Sequence, residues 1–372
     1  MTKTQKATLA VLGAAAGVLV MVLGVTGWTV YRHWLDQPLG AALPTSPYKP
    51  IALPATWTPT ASAAPKPRST PIVAPTAAPR CGGPRVMTLL LIGSDTRSTG
   101  YTWGLSDVMR VARIDFVSPR LTVLDFPRDL WVEIPYISDN LNGQEHEKLN
   151  QAYLYGNPGD GFKYWDDPSA GPGLLARTLD LNFGVKVDHY LAVNMQSFVR
   201  MVDAVGGIDV TLPRRIGGSH DLNLQEGAHH LDGTEALAVA RDRTEGVFSR
   251  GDEQNLVLCA LQKKLKDPSV VIHIPDLIRS FQGSVQTDLS PAAMGQLACL
   301  ATQLPRQFIT LYSFPEDLFT GTRIYDPVFE KPVFIWDVDF NVLRQYVAMF
   351  QRGTWPAAAA SSNSIPTASF CQ

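Results

Sequence analysis

The feature that most constrains this chain is its N-terminus. From Ala7 to Tyr31 there is no charged residue. A helix of that length spans the ~30 Å hydrocarbon core of a bilayer. Lys3 and Lys6 precede the run, and Arg32 and His33 follow it. The small excess of positive charge before the run, with the free amino group, sets the N-terminus inside and the bulk of the chain outside the cytoplasm. A cleaved signal peptide is the rival reading, because Ala14-Ala15-Ala16 imitates a cleavage site. The apolar run continues well past that point, which favours an uncleaved single-pass anchor over residues 1–35.

Residues 36–84 carry 12 of the 28 prolines, mixed with Ala, Thr and Ser. Such a composition cannot bury a core and favours extended chain. At ~3.1 Å per residue it reaches on the order of 150 Å, which predicts a spacer that holds a domain off the membrane. Residues 357–372 form a second low-complexity tail. Between the two, 85–267 reads as the main domain and 268–356 as an extension packed on it. The net charge of -2, from 32 basic and 34 acidic residues, excludes a bulk polyanion binder, so any anion site must be local.

Four cysteines, Cys81, Cys259, Cys299 and Cys371, are an even number outside the cytoplasm, which suggests disulfides. Of three pairings, the one expected is Cys81 with Cys371, tying the ends of the folded part, and Cys259 with Cys299. No pair has zinc-site spacing.

Inside the main domain, VMTLLLIG (86–93) is a short apolar run ending in Gly, the pattern of a buried strand. Val108–Phe116 and Leu121–Phe126 are two more strand candidates. Helical spacing covers Gly173–Asn182, Met195–Val205 and Gln254–Leu265. Glu235–Arg243 is compatible with helix or strand. Ser290-Pro291 is a helix start, with Ser as cap and Pro at the first position. The alternation predicts an α/β fold, a mixed central β-sheet with helices on both faces.

The chemistry-bearing residues gather at strand ends. Asp95 and Asp107 lie twelve residues apart at the end of one strand and the start of the next. If those strands pair, the two carboxylates converge, and two carboxylates with phosphate oxygens make a Mg²⁺ site, with Mn²⁺ the alternative. Either Asp alone is as readily a turn or cap residue. Arg97, Arg128, Arg241, Arg243 and Arg250 form a second group, with Lys148 and Gln254 as further ligands. Guanidinium groups grip phosphate oxygens bidentately, although a single Arg is more often a solvated charge. His229-His230 sit in a Gly-rich, loop-like stretch and read as structural or exposed rather than as metal ligands.

Taken in order, LLLIGSDTR, SDVMRVARID, LTVLDFPRDLWVEIP, KLNQAYLYG, VDHYLAVNMQSFVRMVDAVGGIDV, GAHHLDGTEALAVARDR and FSRGDEQNLVL resemble the LytR-CpsA-Psr family, also called the cell envelope-related transcriptional attenuator family. The resemblance covers roughly residues 86–265. It implies a phosphotransferase that moves a glycopolymer from a polyprenyl-pyrophosphate carrier onto peptidoglycan or another envelope acceptor. It implies Asp95 and Asp107 as Mg²⁺ ligands, and Arg128, Lys148, Arg241, Arg243, Arg250 and Gln254 as the pyrophosphate grip. Asp107 is the choice for the group that takes the acceptor proton. Two positions depart from the family pattern, Leu105 and Glu253, where an Arg is usual. Arg110, unusual in an apolar strand, is a candidate to restore one charge. A non-catalytic module that binds polyprenyl (pyro)phosphate and a pyrophosphate hydrolase are the competing readings. A direct transcription regulator fits neither the external domain nor the lack of a basic DNA-binding motif, and no nucleic-acid partner is expected.

Overall fold

The structure is a computed structural model that describes residues 31–47, 77–96, 104–138, 143–157, 164–217, 223–242, 247–265 and 285–355, with residues 21, 24–25, 28–29, 141 and 267 besides. Most of the apolar N-terminal run, residues 48–76 of the Pro-rich segment, residues 268–284 and the C-terminal tail lie outside the described residues. Among the described residues, no helix is long and apolar enough to cross a membrane.

Three strands open the folded part: β1 (Val86–Ser94), β2 (Ser106–Asp115) and β3 (Arg120–Asp125). Two short strands, β4 (Trp131–Glu133) and β5 (His146–Lys148), precede helices α1 (Gln151–Gly156) and α2 (Ala170–Phe183). β6 (His189–Asn194) leads into α3 (Met195–Ala204) and β7 (Ile208–Leu212). β8 (Ile216–Gly217), β9 (Asn223–Leu224) and β10 (Gly227–Leu231) come next, then α4 (Gly233–Ala240) and α5 (Val247–Leu265). The last described elements are β11 (Val285–Thr287), α6 (Pro291–Gln303), β12 (Ile309–Tyr312), β13 (Thr320–Asp326), β14 (Lys331–Asp337) and α7 (Phe340–Arg352).

The central sheet has six strands in the order β11-β6-β1-β2-β3-β12. β1–β2, β2–β3 and β11–β6 are antiparallel, whereas β1–β6 and β12–β3 are parallel. Side chains alternate across a strand, so β1 feeds two cores. Leu90 and Ile92 face a cluster with α1, α2 and α7, including Tyr153, Leu174 and Leu343. Met87 and Leu89 face the opposite way, with Ile114, Leu289 and Leu300. This is the three-layer α/β arrangement expected, with helices on both faces of a mixed sheet. A third cluster joins α3, β7, β10, α4 and α5 around Val202, Ile208, Leu231, Val239 and Val257.

Local chemistry sets the helix ends. Asn194 accepts a hydrogen bond from Ser197 N at 2.7 Å and starts α3. Asp232 and Glu235 form a reciprocal capping box, which resolves the helix-or-strand ambiguity at 235 in favour of helix. Ser290 Oγ accepts from Ala293 N at 3.1 Å with Pro291 in the first turn. His229 and His230 lie in β10 rather than in a loop, and His230 Nδ1 is 2.7 Å from Asp209 Oδ1.

Two features differ from the sequence-based expectations. Among the described residues a disulfide joins Cys81 to Cys299, so neither expected pairing, Cys81 with Cys371 nor Cys259 with Cys299, forms, and Cys259 is itself disulfide-bonded to another partner. The turn Arg80–Gly82 is hydrogen-bonded to β2's exit, with Arg80 N donating to Phe116 O at 2.9 Å, and packs beside α6, so Cys81 meets Cys299 rather than the C-terminal tail. Cys371 itself lies outside the described residues. The other feature is the Pro-rich segment. Leu39 N donates to Leu289 O at 3.2 Å, Leu43 packs against the α1/α2 core, and Lys186 Nζ donates to Ser46 Oγ at 2.7 Å. Its first part is therefore docked on the domain.

The extension after 268 also does more than cover a surface. β11 and β12 are the two edge strands of the central sheet, brought in from far along the chain.

Candidate functional site

β1 and β2 do pair, which is the condition for Asp95 and Asp107 to converge. Their register runs from Val86↔Asp115 to Gly93↔Val108 and then resumes at Ser94↔Ser106. Asp107 is the residue skipped by that shift. A bulge re-aims the side chain of its extra residue, and here it is the aspartate that is re-aimed. Asp95 follows directly from Ser94 at the same sheet end.

Asp95 is held by its neighbours. Its Oδ1 accepts from Leu105 N at 2.6 Å, and its own N–H donates to Leu105 O at 3.0 Å. Leu105 thus contributes backbone where the family pattern has an arginine side chain. Ser94 Oγ and Thr96 Oγ1 are 2.8 Å apart beside it. Gly104 is the point on which these groups close. A Cβ there would stand 2.1 Å from Thr96 Oγ1, 2.8 Å from Ser94 Oγ and 3.0 Å from Asp95 Oδ1.

Asp107 Oδ1 accepts from Arg128 Nη1. Arg128 Nε also donates to Asp129 Oδ2 at 3.2 Å, and Lys148 Nζ donates to Asp129 Oδ1 at 2.7 Å. The result is a chain of alternating charge, Asp107–Arg128–Asp129–Lys148, whose side chains are all at least three-quarters buried. Burial pulls the Arg128 pKa down, but attraction to Asp107 and Asp129 outweighs it and holds the guanidinium above its ordinary value. The loop is braced from the extension, because Trp336 N donates to Asp129 O at 3.0 Å. Asp129 was not among the expected site residues. Its signal was present in the same PRD triplet as Arg128.

A second assembly lies around Arg110, which is 2% exposed. Its Nε donates to Asp125 Oδ1 at 2.9 Å, its Nη1 to Asn255 Oδ1 at 2.7 Å and its Nη2 to Gln254 Oε1 at 3.2 Å. Gln254 Nε2 in turn donates to Ala240 O at 3.4 Å, one residue before Arg241. Arg241 closes α4, its N–H donating to Ala238 O at 3.2 Å. Glu253, the other departure, accepts from Arg214 Nη2, which also donates to Asp242 Oδ2 at 3.1 Å. Arg214 is a cation that motif reading did not single out. Arg97 and Arg243 lie outside the described residues, as does the side chain of Arg250, whose backbone is in the first turn of α5.

For a divalent cation the nearby donors are hard oxygens, the carboxylates of Asp95 and Asp107. No group of three His, Cys, Asp or Glu able to hold a metal is found among the described residues. That donor set suits a Mg²⁺ whose coordination is completed by phosphate oxygens and water.

The fold and the strand-end cluster define an α/β domain of a known class. The LytR_cpsA_psr family profile matches residues 82–326, and the chain belongs to that family. Among curated relatives, the regulatory protein MsrR of Staphylococcus aureus (strain COL) is 27% identical over 214 residues, 56% of this chain and 58% of MsrR. A polyisoprenyl-teichoic acid–peptidoglycan teichoic acid transferase, TagU of Oceanobacillus iheyensis, is 30% identical over 217 residues, 58% of this chain and 61% of TagU. The matches thus span about three-fifths of these relatives. The crystal structure of B. subtilis TagV superposes with a TM-score of 0.55 at 23% identity, over 72% of this chain and 98% of TagV, a likeness of fold.

Proposed function

We propose that this protein is a membrane-anchored phosphotransferase that moves a glycopolymer from a polyprenyl-pyrophosphate carrier to peptidoglycan or another envelope acceptor. The observation that carries this reading is the bulge that turns Asp107 onto Arg128, backed by Asp129 and Lys148, at the sheet end where Asp95 also emerges. The kinship with a teichoic acid transferase agrees with it.

A pyrophosphate diester carries two negative charges, and transfer develops more on the leaving phosphate. Arg128 and Lys148, with Arg241, Arg243, Arg97, Arg250 and Gln254, form the proposed grip on the pyrophosphate. Asp95 and Asp107 would hold Mg²⁺, which would neutralise phosphate charge when bound. An acceptor hydroxyl attacks the phosphorus nearest the glycan. The bond from that phosphorus to the bridging oxygen breaks, and polyprenyl phosphate leaves with that oxygen. The hydroxyl proton passes to Asp107, whose direction is set by Arg128.

The anchor reading is supported at the helix that ends at Asp36, where Trp28, Tyr31 and Trp34 are each more than half exposed. Exposed aromatics at the end of an apolar run suit the interface of a bilayer.

The test is incubation of the full chain in lipid nanodiscs with a polyprenyl-pyrophosphate glycan, peptidoglycan fragments and Mg²⁺. Polyprenyl phosphate release with glycan covalently attached, lost in Asp95→Ala, supports the transferase. Release without attachment points to the hydrolase. Lipid binding without release points to the non-catalytic module, which Leu105 and the pairing of Glu253 with Arg214 would then explain.

A further inference from the structure

The Pro-rich composition of residues 36–84 predicts a long spacer, yet its first part touches the domain at several points. Asp36 is the last residue of the N-terminal helix. Three residues later, Leu39 N donates to Leu289 O at 3.2 Å. Gly40 lies so close to β11 that a Cβ on it would stand 2.6 Å from Thr287 O. Ser46 Oγ accepts from Lys186 Nζ at 2.7 Å and donates to Asp180 Oδ2, joining the Lys186–Asp180 ion pair. Leu43, between these anchors, packs on the core.

Four residues span at most about 14 Å. Gly40, four residues from the helix end and in contact with β11, is therefore within about 14 Å of it, against the ~150 Å that a free 36–84 segment would allow. The segment from 48 to 76 then leaves one docked point and returns to another, where Arg80 N donates to Phe116 O at 2.9 Å. Chain that joins two points on the same domain adds nothing to the distance from the helix.

We infer that residues 39–46 are a strap that holds the domain against the bilayer surface, with the β11 edge and the α2–β6 turn toward the lipid headgroups. This rests on the proposed membrane anchor. The aromatic face agrees with it: Trp28, Tyr31 and Trp34 follow one another at 6.3 and 6.4 Å between ring centroids, and Arg32 lies 5.1 Å over Trp28. An interface-seeking aromatic row that ends two residues before Asp36 puts the strap at headgroup level. The consequence is that a lipid-linked substrate meets a domain held in one orientation, rather than one swinging on a tether.

The test is to place a ten-residue Gly/Ser insertion either before the strap, after Gln37, or behind it, after Thr60. The full chain is put into phosphatidylcholine/phosphatidylglycerol nanodiscs with a headgroup acceptor dye, and a donor dye is carried by an unnatural residue at exposed Tyr325. A flexible ten-residue insertion adds about 17 Å of mean span. Insertion after Gln37 should lower energy transfer by about half, while insertion after Thr60 should leave it unchanged. In Gly40→Val, which crowds Thr287, both insertions should lower it. Equal responses to the two insertions in a membrane-associated chain overturn the strap and leave the anchor standing. A chain that does not enter nanodiscs at all overturns the anchor reading and the strap with it.

Discussion

Replacing Arg110 by Met removes a buried guanidinium that holds α5 to the sheet. Arg110 is opposite Asp125 in the β2–β3 register and reaches Gln254 and Asn255 with its other two nitrogens. Removing one partner of a buried ion pair costs about 3–5 kcal/mol, because the other charge is left behind. The Asp125 side chain is 27% exposed, so water relieves part of that penalty. Gln254 and Asn255, both under 10% exposed, lose charged donors that water does not easily replace. Together these set a loss of about 3 kcal/mol, or about 6–12 °C in Tm for a domain of this size. Arg110→Lys keeps the charge but cannot place three nitrogens, so it should recover only part of the loss. Thermal melts followed by near-UV circular dichroism measure this, alongside binding of a polyprenyl-pyrophosphate donor. Melting within 2 °C of wild type with donor binding abolished would refute the reasoning. It would mean that the guanidinium grips the donor directly.

Gly104→Ala places a methyl among Ser94, Asp95 and Thr96, so transfer should fall about 100-fold, with a stability loss of less than about 3 kcal/mol. Full activity in Gly104→Ala would remove Asp95 from the site. Glu147 is fully buried beside Asp326, itself 1% exposed, and burial first, then that neighbour, push its carboxyl up to about 8. Folding therefore keeps a proton that the unfolded chain releases above its ordinary value of 4.5. Stability should fall as pH rises from that value toward 8, by at most about 1.4 kcal/mol per pH unit, and Glu147→Gln should flatten the slope. The Cys81–Cys299 bridge closes a sequence separation of 218, and loop-closure entropy sets an upper limit of about 5 kcal/mol for its stabilisation. Comparing the urea midpoint of Cys81→Ser/Cys299→Ser with wild type measures this, and an unchanged midpoint would refute the bridge's contribution.

Local pattern was enough for much of the fold. The apolar runs at 86–93 and 121–126 became β1 and β3, and the helical spacings at 173–182 and 195–205 became α2 and α3, because burial on a face with period two or 3.6 leaves its mark on neighbouring residues. The ordered motifs were enough for the family. They also indicated Asp107, Arg128 and Lys148, whose side chains the fold connects. What no local pattern could carry was anything that depends on residues far apart in sequence. The bulge at Asp107 is a property of two strands in register. The burial of Arg110 needed α5, more than a hundred residues on, to close over it. The disulfide partner of Cys81 was decided by where α6 packs, since four cysteines are compatible with three pairings. The docking of residues 39–46 was hidden by composition, because proline and alanine describe a chain without a core of its own and are silent about a surface supplied by β11 and the α2–β6 turn. The sequence determined which segments form helices and strands and which chemistry they carry. Only packing between distant segments decided which of those groups meet, because contact is set by the closure of the whole fold and not by spacing along the chain.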